Sequence, residues 1–209
     1  MLIDKTVSQF LDELASNSPA PGGGSVAALA GAVGAALSSM VCNLTVGKKK
    51  YVDVQDEIKA ILEQTELLRK EMTQLIDRDT EAFNAVMAAF GLPKGTESEQ
   101  AKRSAAIQEA TKAATLIPLS VMRACEKALL HARAVAQKGN KNSASDAGVA
   151  ALMLQASCAG ASLNVRINLS GLKDADFVQQ IVEQSAEIVL NVEKTAREVL
   201  AEVEKSLGA

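Results

Sequence analysis

Residues 26–46 read VAALAGAVGAALSSMVCNLTV, twenty-one consecutive positions without a charged side chain. That length suffices to span a bilayer. The run is diluted, however, by Ser38, Ser39, Asn43 and Thr45 among many alanines and glycines. A helix that is apolar all round yet only weakly hydrophobic reads as the central member of a helical bundle, with no membrane involved. Ala27, Gly31 and Ala35 recur every four residues, a spacing that lets a neighbouring helix backbone approach closely. Residues 147–163 have the same Gly, Ala and Ser character, with Ser157 and Ala161 at that spacing. Both stretches are expected to be buried on every side, a homo-oligomeric contact supplying part of the cover.

Helical periodicity continues outward from this segment in both directions. Upstream, Val7, Phe10, Leu11 and Leu14 mark a short amphipathic helix that stops before Pro19-Ala20-Pro21-Gly22-Gly23-Gly24. Ser25 then stands where an N-cap is expected. Downstream, Gly47 and the cations Lys48, Lys49 and Lys50 suit a helix C-terminus. A pattern from about Val54 to Phe90 predicts a helix roughly 55 Å long. Gly91 to Gly95 break it, and Thr96 with Glu99 has capping-box spacing for the next helix, 97–138, which Pro118 is expected to kink or divide. A turn at 139–143, an apolar helix to about Ser170 and an amphipathic C-terminal helix complete the chain. Strand alternation is absent, so the reading is all-α: a single domain over 1–209, built as an up-and-down bundle of long helices.

Composition agrees. Of 209 residues 48% are hydrophobic but only 2% aromatic, with no Trp, so the core must come from Ala, Leu, Val, Ile and Met. A net charge of −3 lacks the broad basic surface of a nucleic-acid-binding protein. Cys42, Cys125 and Cys158 are odd in number, lie within apolar helical patterns and lack metal-ligand spacing. Reduced, buried thiols in the cytoplasm are expected. The N-terminus has neither the basic start nor the apolar run of a signal peptide.

Several residues can carry chemistry. Asp79 lies three positions after Ile76 and four before Phe83, on the face meant for the core. A carboxylate there is either a candidate acid, base or cation stabiliser, or a structural ion pair at the stripe's edge. Gly22-Gly23-Gly24-Ser25 allows a ligand close to the backbone at a helix N-terminus, or is simply a tight turn. It is neither a Walker A loop nor a dinucleotide fingerprint. Lys48 to Lys50 read as solvated charge or as an attractor of carboxylates. Asn140, Asn142, Ser143, Ser145 and Asp146 are capping residues, of which Asp146 can look inward. Asn43, Asn164, Arg166 and Asn168 are polar insertions suited to buried networks or a pocket wall. His131, the sole histidine, has no ligand-spaced partners, so no metal site is expected.

The segment Pro19 to Leu29, followed some twenty residues on by Gly47-Lys48-Lys49-Lys50-Tyr51, resembles the cyclodeaminase/cyclohydrolase family. That family includes the C-terminal domain of formiminotransferase-cyclodeaminase and stand-alone methenyltetrahydrofolate cyclohydrolases. The likeness extends to Asp79-Thr80-Glu81-Ala82-Phe83, to Leu92-Pro93-Lys94 and to Asn142 through Asp146, and so covers the whole chain. It implies an all-helical homodimer with no metal or prosthetic group, and a tetrahydrofolate derivative as substrate. It further implies Asp79 as the catalytic residue. Gly22, Gly23, Gly24 and Ser25 would lie against the substrate and Lys48, Lys49 and Lys50 would draw its glutamate tail, with Asn43 and Asp146 completing the expected binding set. The expected activity is hydrolysis of 5,10-methenyltetrahydrofolate to 10-formyltetrahydrofolate. The alternative is a formimidoyltetrahydrofolate cyclodeaminase, which releases ammonia and forms the 5,10-methenyl compound; the lack of an attached formiminotransferase region weighs against it. A non-catalytic folate-binding bundle is the third reading.

Overall fold

The computed structural model describes residues 1–208, and six α-helices account for nearly all of them: α1 (Val7–Leu14), α2 (Gly23–Asn43), α3 (Gln55–Phe90), α4 (Glu97–Lys138), α5 (Ala144–Leu169) and α6 (Ala175–Leu207). No strand occurs among the described residues. Short connections force consecutive helices to turn back on one another. Ser39 of α2 meets Thr65 of α3 at 2.9 Å, while Ser25 meets Asp79 at 3.0 Å, so those two helices run antiparallel. Arg133 pairs with Glu198 and Lys112 with Asp174 at nearly constant offset, which makes α4 and α6 parallel. The bundle is therefore up-and-down, as the sequence predicts.

The centre is made of small side chains. Ala28, Ala35, Ala128, Ala132, Ala147, Ala151 and Ala161 are wholly buried, filled in by Met72, Met122, Leu119, Leu129 and Leu154. Where α2, α4 and α5 meet, the Cys125 thiol donates to Ser157 Oγ at 3.1 Å, and Ser157 donates to the Ala27 carbonyl at 2.6 Å. Each polar atom in this dry region thus has a partner. All three cysteines are free and buried, and burial pushes their thiols up to about 12.

Two sequence expectations change in the structure. Ser25 does not cap α2; the helix starts two residues earlier, with Gly22 as N-cap and no side-chain cap bond. Pro118 does not divide α4, which runs unbroken for 42 residues. Proline has no N–H, so the carbonyl four residues back is left without its helical donor; the Asn168 amide of α5 donates to that Ala114 carbonyl at 3.3 Å. Within one chain the cover of α2 and α5 is partial, and the open faces are the part that the sequence reading assigns to a homo-oligomeric contact. Val26, Val33 and Met40 on α2, and Val149, Leu152, Leu163 and Ile167 on α5, are exposed. By length and composition alone both helices could cross a membrane, yet α2 is packed against α3, α4 and α5.

Close packing predicts opposite outcomes at two glycines. At Gly34 an added Cβ would lie 2.7 Å from Leu154 Cγ and 3.0 Å from the Ala150 carbonyl, whereas at Gly160 the nearest atom would be 3.6 Å away. Gly34→Ala should cost about 1–3 kcal/mol in thermal or urea unfolding through overpacking. Gly160→Ala should be neutral or stabilising by up to about 1 kcal/mol through helix propensity.

Candidate active site

Asp79 projects from α3 onto the first turn of α2. Its Oδ2 accepts a hydrogen bond from the Ser25 hydroxyl at 3.0 Å, and that hydroxyl lies 3.2 Å from Thr80 Oγ1. Gly24 permits this approach: a Cβ there would fall 2.5 Å from Asp79 Cγ and 2.6 Å from Oδ2. The carboxylate therefore occupies space that any other residue at 24 would fill. It also stands at the positive end of the α2 dipole, where the helix has no side-chain cap of its own. Burial raises the Asp79 pKa above the ordinary carboxylate value; the Ser25 hydroxyl and amide pull in the opposite direction and only partly offset it.

A cleft of about 400 Å³ opens beside this carboxylate. Pro19, Ala20 and Gly22 to Gly24 form its rim, and Phe83, Val86, Met87 and Phe90 of α3 line one wall. Ala114 of α4 and Asn164, Ile167 and Asn168 of α5 complete it. Asp79 is the only ionisable side chain lining the cleft. The shape and lining suit a flat, largely apolar ligand with a reacting centre at the carboxylate.

Asn164 and Asn168 belong to this wall, although periodicity marks them only as polar insertions. Asn164 Nδ2 donates to the Gly160 carbonyl at 2.9 Å, as Asn168 Nδ2 does to Ala114. Carbonyl partners fix which end of each amide is nitrogen, leaving both side-chain oxygens without a hydrogen bond inside the protein. Gly23 passes 3.6–3.8 Å from the Asn164 amide, measured from where its Cβ would be.

The remaining expected residues lie elsewhere. Asn43 is exposed at the far end of α2, eighteen residues from Ser25, a rise of about 27 Å. Lys48, Lys49 and Lys50 are exposed on the following turn, and Asp146 is half-buried in the first turn of α5 at that same end. That region carries its own latch: Asn140 N–H donates to Thr45 Oγ1 at 2.9 Å, Asn140 Nδ2 donates to the Leu44 carbonyl at 3.1 Å, and Lys141 N–H donates to Tyr51 Oη at 3.0 Å. Within one chain, the Gly22–Ser25 turn and Asp79 come together, whereas Asn43, Lys48–Lys50 and Asp146 do not join them. Asp77 is a carboxylate that periodicity did not single out. It is only 8% exposed and accepts the Leu2 N–H, tying the N-terminus to α3. Among the described residues no three His, Cys, Asp or Glu converge.

The upward pKa shift has a consequence for stability. A carboxyl whose folded pKa exceeds its unfolded value stabilises fully below the unfolded pKa, and that contribution is lost as pH rises through the folded one. At pH 7 the ionised Asp79 is therefore a net strain on the fold. Asp79→Asn should melt no lower than wild type at pH 7, and its advantage should shrink as pH approaches 4 in a thermal-unfolding series.

Comparison with known proteins places this geometry. A family model described as formiminotransferase-cyclodeaminase matches residues 6–187. A methenyltetrahydrofolate cyclohydrolase of Methylorubrum extorquens is 52% identical over 181 residues, 87% of each chain. The formimidoyltransferase-cyclodeaminase of Rattus norvegicus is 33% identical across 97% of this chain, which spans only 38% of that longer protein. A crystal structure of formiminotetrahydrofolate cyclodeaminase from Thermotoga maritima superposes with a TM-score of 0.88 and 33% identity, over 98% of both chains. With its sequence matched over 182 of 209 residues and its whole fold shared, the chain belongs to the formiminotransferase-cyclodeaminase family.

Proposed function

We propose that the protein is a methenyltetrahydrofolate cyclohydrolase and that Asp79 carries its chemistry. The observation that carries this reading is the sole ionisable side chain among the described residues lining the cleft, a half-buried carboxylate with a raised pKa, facing a largely apolar slot. The substrate's reacting unit is a cation delocalised over N5, the bridging carbon and N10. An ionised Asp79 offsets that charge in a water-poor site, where electrostatic stabilisation is strong. It also orients a water molecule against the bridging carbon and takes its proton as the C–O bond forms. The same proton passes to N5 as the C–N5 bond breaks, and the proton left on the carbinol oxygen is released to solvent as the C=O forms, leaving the formyl group on N10. Ser25 holds the carboxylate in place, and the glycine turn lets the ring system reach it.

The choice between the two family reactions rests on likeness. Identity to the cyclohydrolase is 52% over most of both chains, against 31–37% for the formimidoyltransferase-cyclodeaminases. A fused transferase does not separate the two reactions, because the Thermotoga maritima cyclodeaminase matches this chain over 98% of both. The protein works in the cytoplasm as a homodimer in this reading. The uncharged faces of α2 and α5, which run antiparallel with Val26 toward Leu163 and Ile167 and with Val33 and Met40 toward Leu152 and Val149, supply an apolar contact for a second copy.

Loss of the 5,10-methenyltetrahydrofolate absorbance tests the activity. Wild type should accelerate it far above the buffer rate, and Asp79→Asn should lower kcat by roughly 10²–10⁴-fold. Ammonia release from 5-formiminotetrahydrofolate, with no effect on the methenyl compound, would instead establish the cyclodeaminase. In sedimentation velocity, wild type should run as a dimer and the Val33→Glu/Leu163→Glu variant as a monomer; equal masses for the two would remove this interface.

A further inference from the structure

The catalytic cleft contains no cation, yet a folate carries glutamate carboxylates that must be placed somewhere. Following α3 outward from Asp79, the apolar wall runs through Phe83, Val86 and Met87 to Phe90, eleven residues and about 16 Å further on. That span is comparable to the path from the one-carbon bridge through the aminobenzoyl ring to a glutamate side chain. Phe90, at the end of the cleft wall, is bonded to a residue of a second depression. On one side it lines the catalytic cleft; on the other, Arg103 donates from Nε and Nη2 to its carbonyl at 3.1 and 2.9 Å, and the guanidinium lies 5.5 Å from its ring centre.

Beyond it lies a polar depression of about 350 Å³ lined by Lys94, Gln100, Arg103, Ser104, Ile107 and Gln108. No carboxylate lines it, and neither Lys94 nor Arg103 makes an ion pair among the described residues. The Glu99 carboxylate accepts the Thr96 N–H at 2.9 Å in the capping box of α4. Arg103 is only half-exposed, and both its bonded nitrogens point to a single carbonyl, leaving Nη1 free. Lys94, and Arg103 through its remaining Nη1, are thus cations without an acidic partner in a hollow lined by no acid, next to the Phe90 end of the slot whose other end carries the catalytic anion.

We propose that Lys94 and Arg103 bind the glutamate carboxylates of the substrate, so that opposite charges at the two ends of the cleft fix its direction. The inference rests on the folate reading of the cleft. It replaces Lys48 to Lys50 as the tail site within one chain, since those lysines lie at the opposite end of α2.

Titration calorimetry of tetrahydrofolate and of tetrahydropteroate, which lacks the glutamate, tests this independently of turnover. Wild type should bind tetrahydrofolate about tenfold more tightly than tetrahydropteroate, the worth of one or two partly exposed ion pairs. Lys94→Ala and Arg103→Gln should each remove most of that preference while leaving the Kd for tetrahydropteroate unchanged. The Lys48→Ala/Lys49→Ala/Lys50→Ala variant should keep it. Retention of the preference in both Lys94→Ala and Arg103→Gln, its loss in the triple variant, or equal weakening of both ligands would overturn the proposal. A preference that behaves as expected in a protein without cyclohydrolase turnover would uphold the tail site while the catalytic reading fails.

Discussion

The meeting of Asp79 with the first turn of α2 is the constraint around which the molecule is arranged. A carboxylate from a long helix takes the position a side-chain cap would otherwise hold, and Gly24 leaves room for it. For that approach to happen, α2 must lie close to α3 along its whole length. Gly31 against Met72, and Ser39 hydrogen-bonded to Thr65, keep that spacing further down the pair. The scarcity of aromatic residues follows from the same demand, because bulky rings along α2 would force the helices apart. The site is thus a product of bundle packing, with no loop of its own beyond the Pro19–Gly22 turn.

Burial and helix dipole act on Asp79 in opposite senses. Desolvation favours the neutral carboxyl; the Ser25 hydroxyl, the Ser25 amide and the positive end of α2 favour the ion. With burial ahead, the empty site holds a carboxylate that readily takes a proton, the property a general base requires. A cationic ligand alongside restores the balance toward the ion. Ground state and bound state therefore differ in what they ask of one side chain, and stability is given up for function in the unliganded protein.

Much of this was legible in the sequence, for identifiable reasons. Long amphipathic patterns with sharp Gly and Pro breaks set α3, α4 and α5 within a residue or two, while α2 spans Gly23–Asn43 where its uncharged run covers 26–46; both capping-box residues, Thr96 and Glu99, form the predicted pair of bonds. Asp79 stood out because helical spacing places it between Ile76 and Phe83. Ser25 was read as a cap because the rule for caps is local, while its true partner lies 54 residues away. Of the two outcomes expected at Pro118, a kink or a division, the division does not occur, for a similar reason: Asn168, on another helix, supplies the donor that proline lacks. Asp77 is hidden from periodicity because it is buried by the N-terminal segment, not by its own helix stripe. The sequence sets Lys48 to Lys50 at the C-terminus of α2, and only the fold shows that Asp79 and its cleft lie at the other end of that helix.

The central claim is that Asp79, poised by burial and moderated by Ser25, is the group whose ionisation governs catalysis. The pH dependence of kcat/KM for 5,10-methenyltetrahydrofolate, measured for wild type and Ser25→Ala, tests it most directly. A base must be ionised, so activity should fall as pH drops through the raised pKa, above the ordinary aspartate value of about 4. Loss of the Ser25 hydroxyl removes a bond that lowers that pKa, so the acid limb should move to still higher pH. A limb at or below the ordinary value, or one that Ser25→Ala leaves in place, would contradict the account.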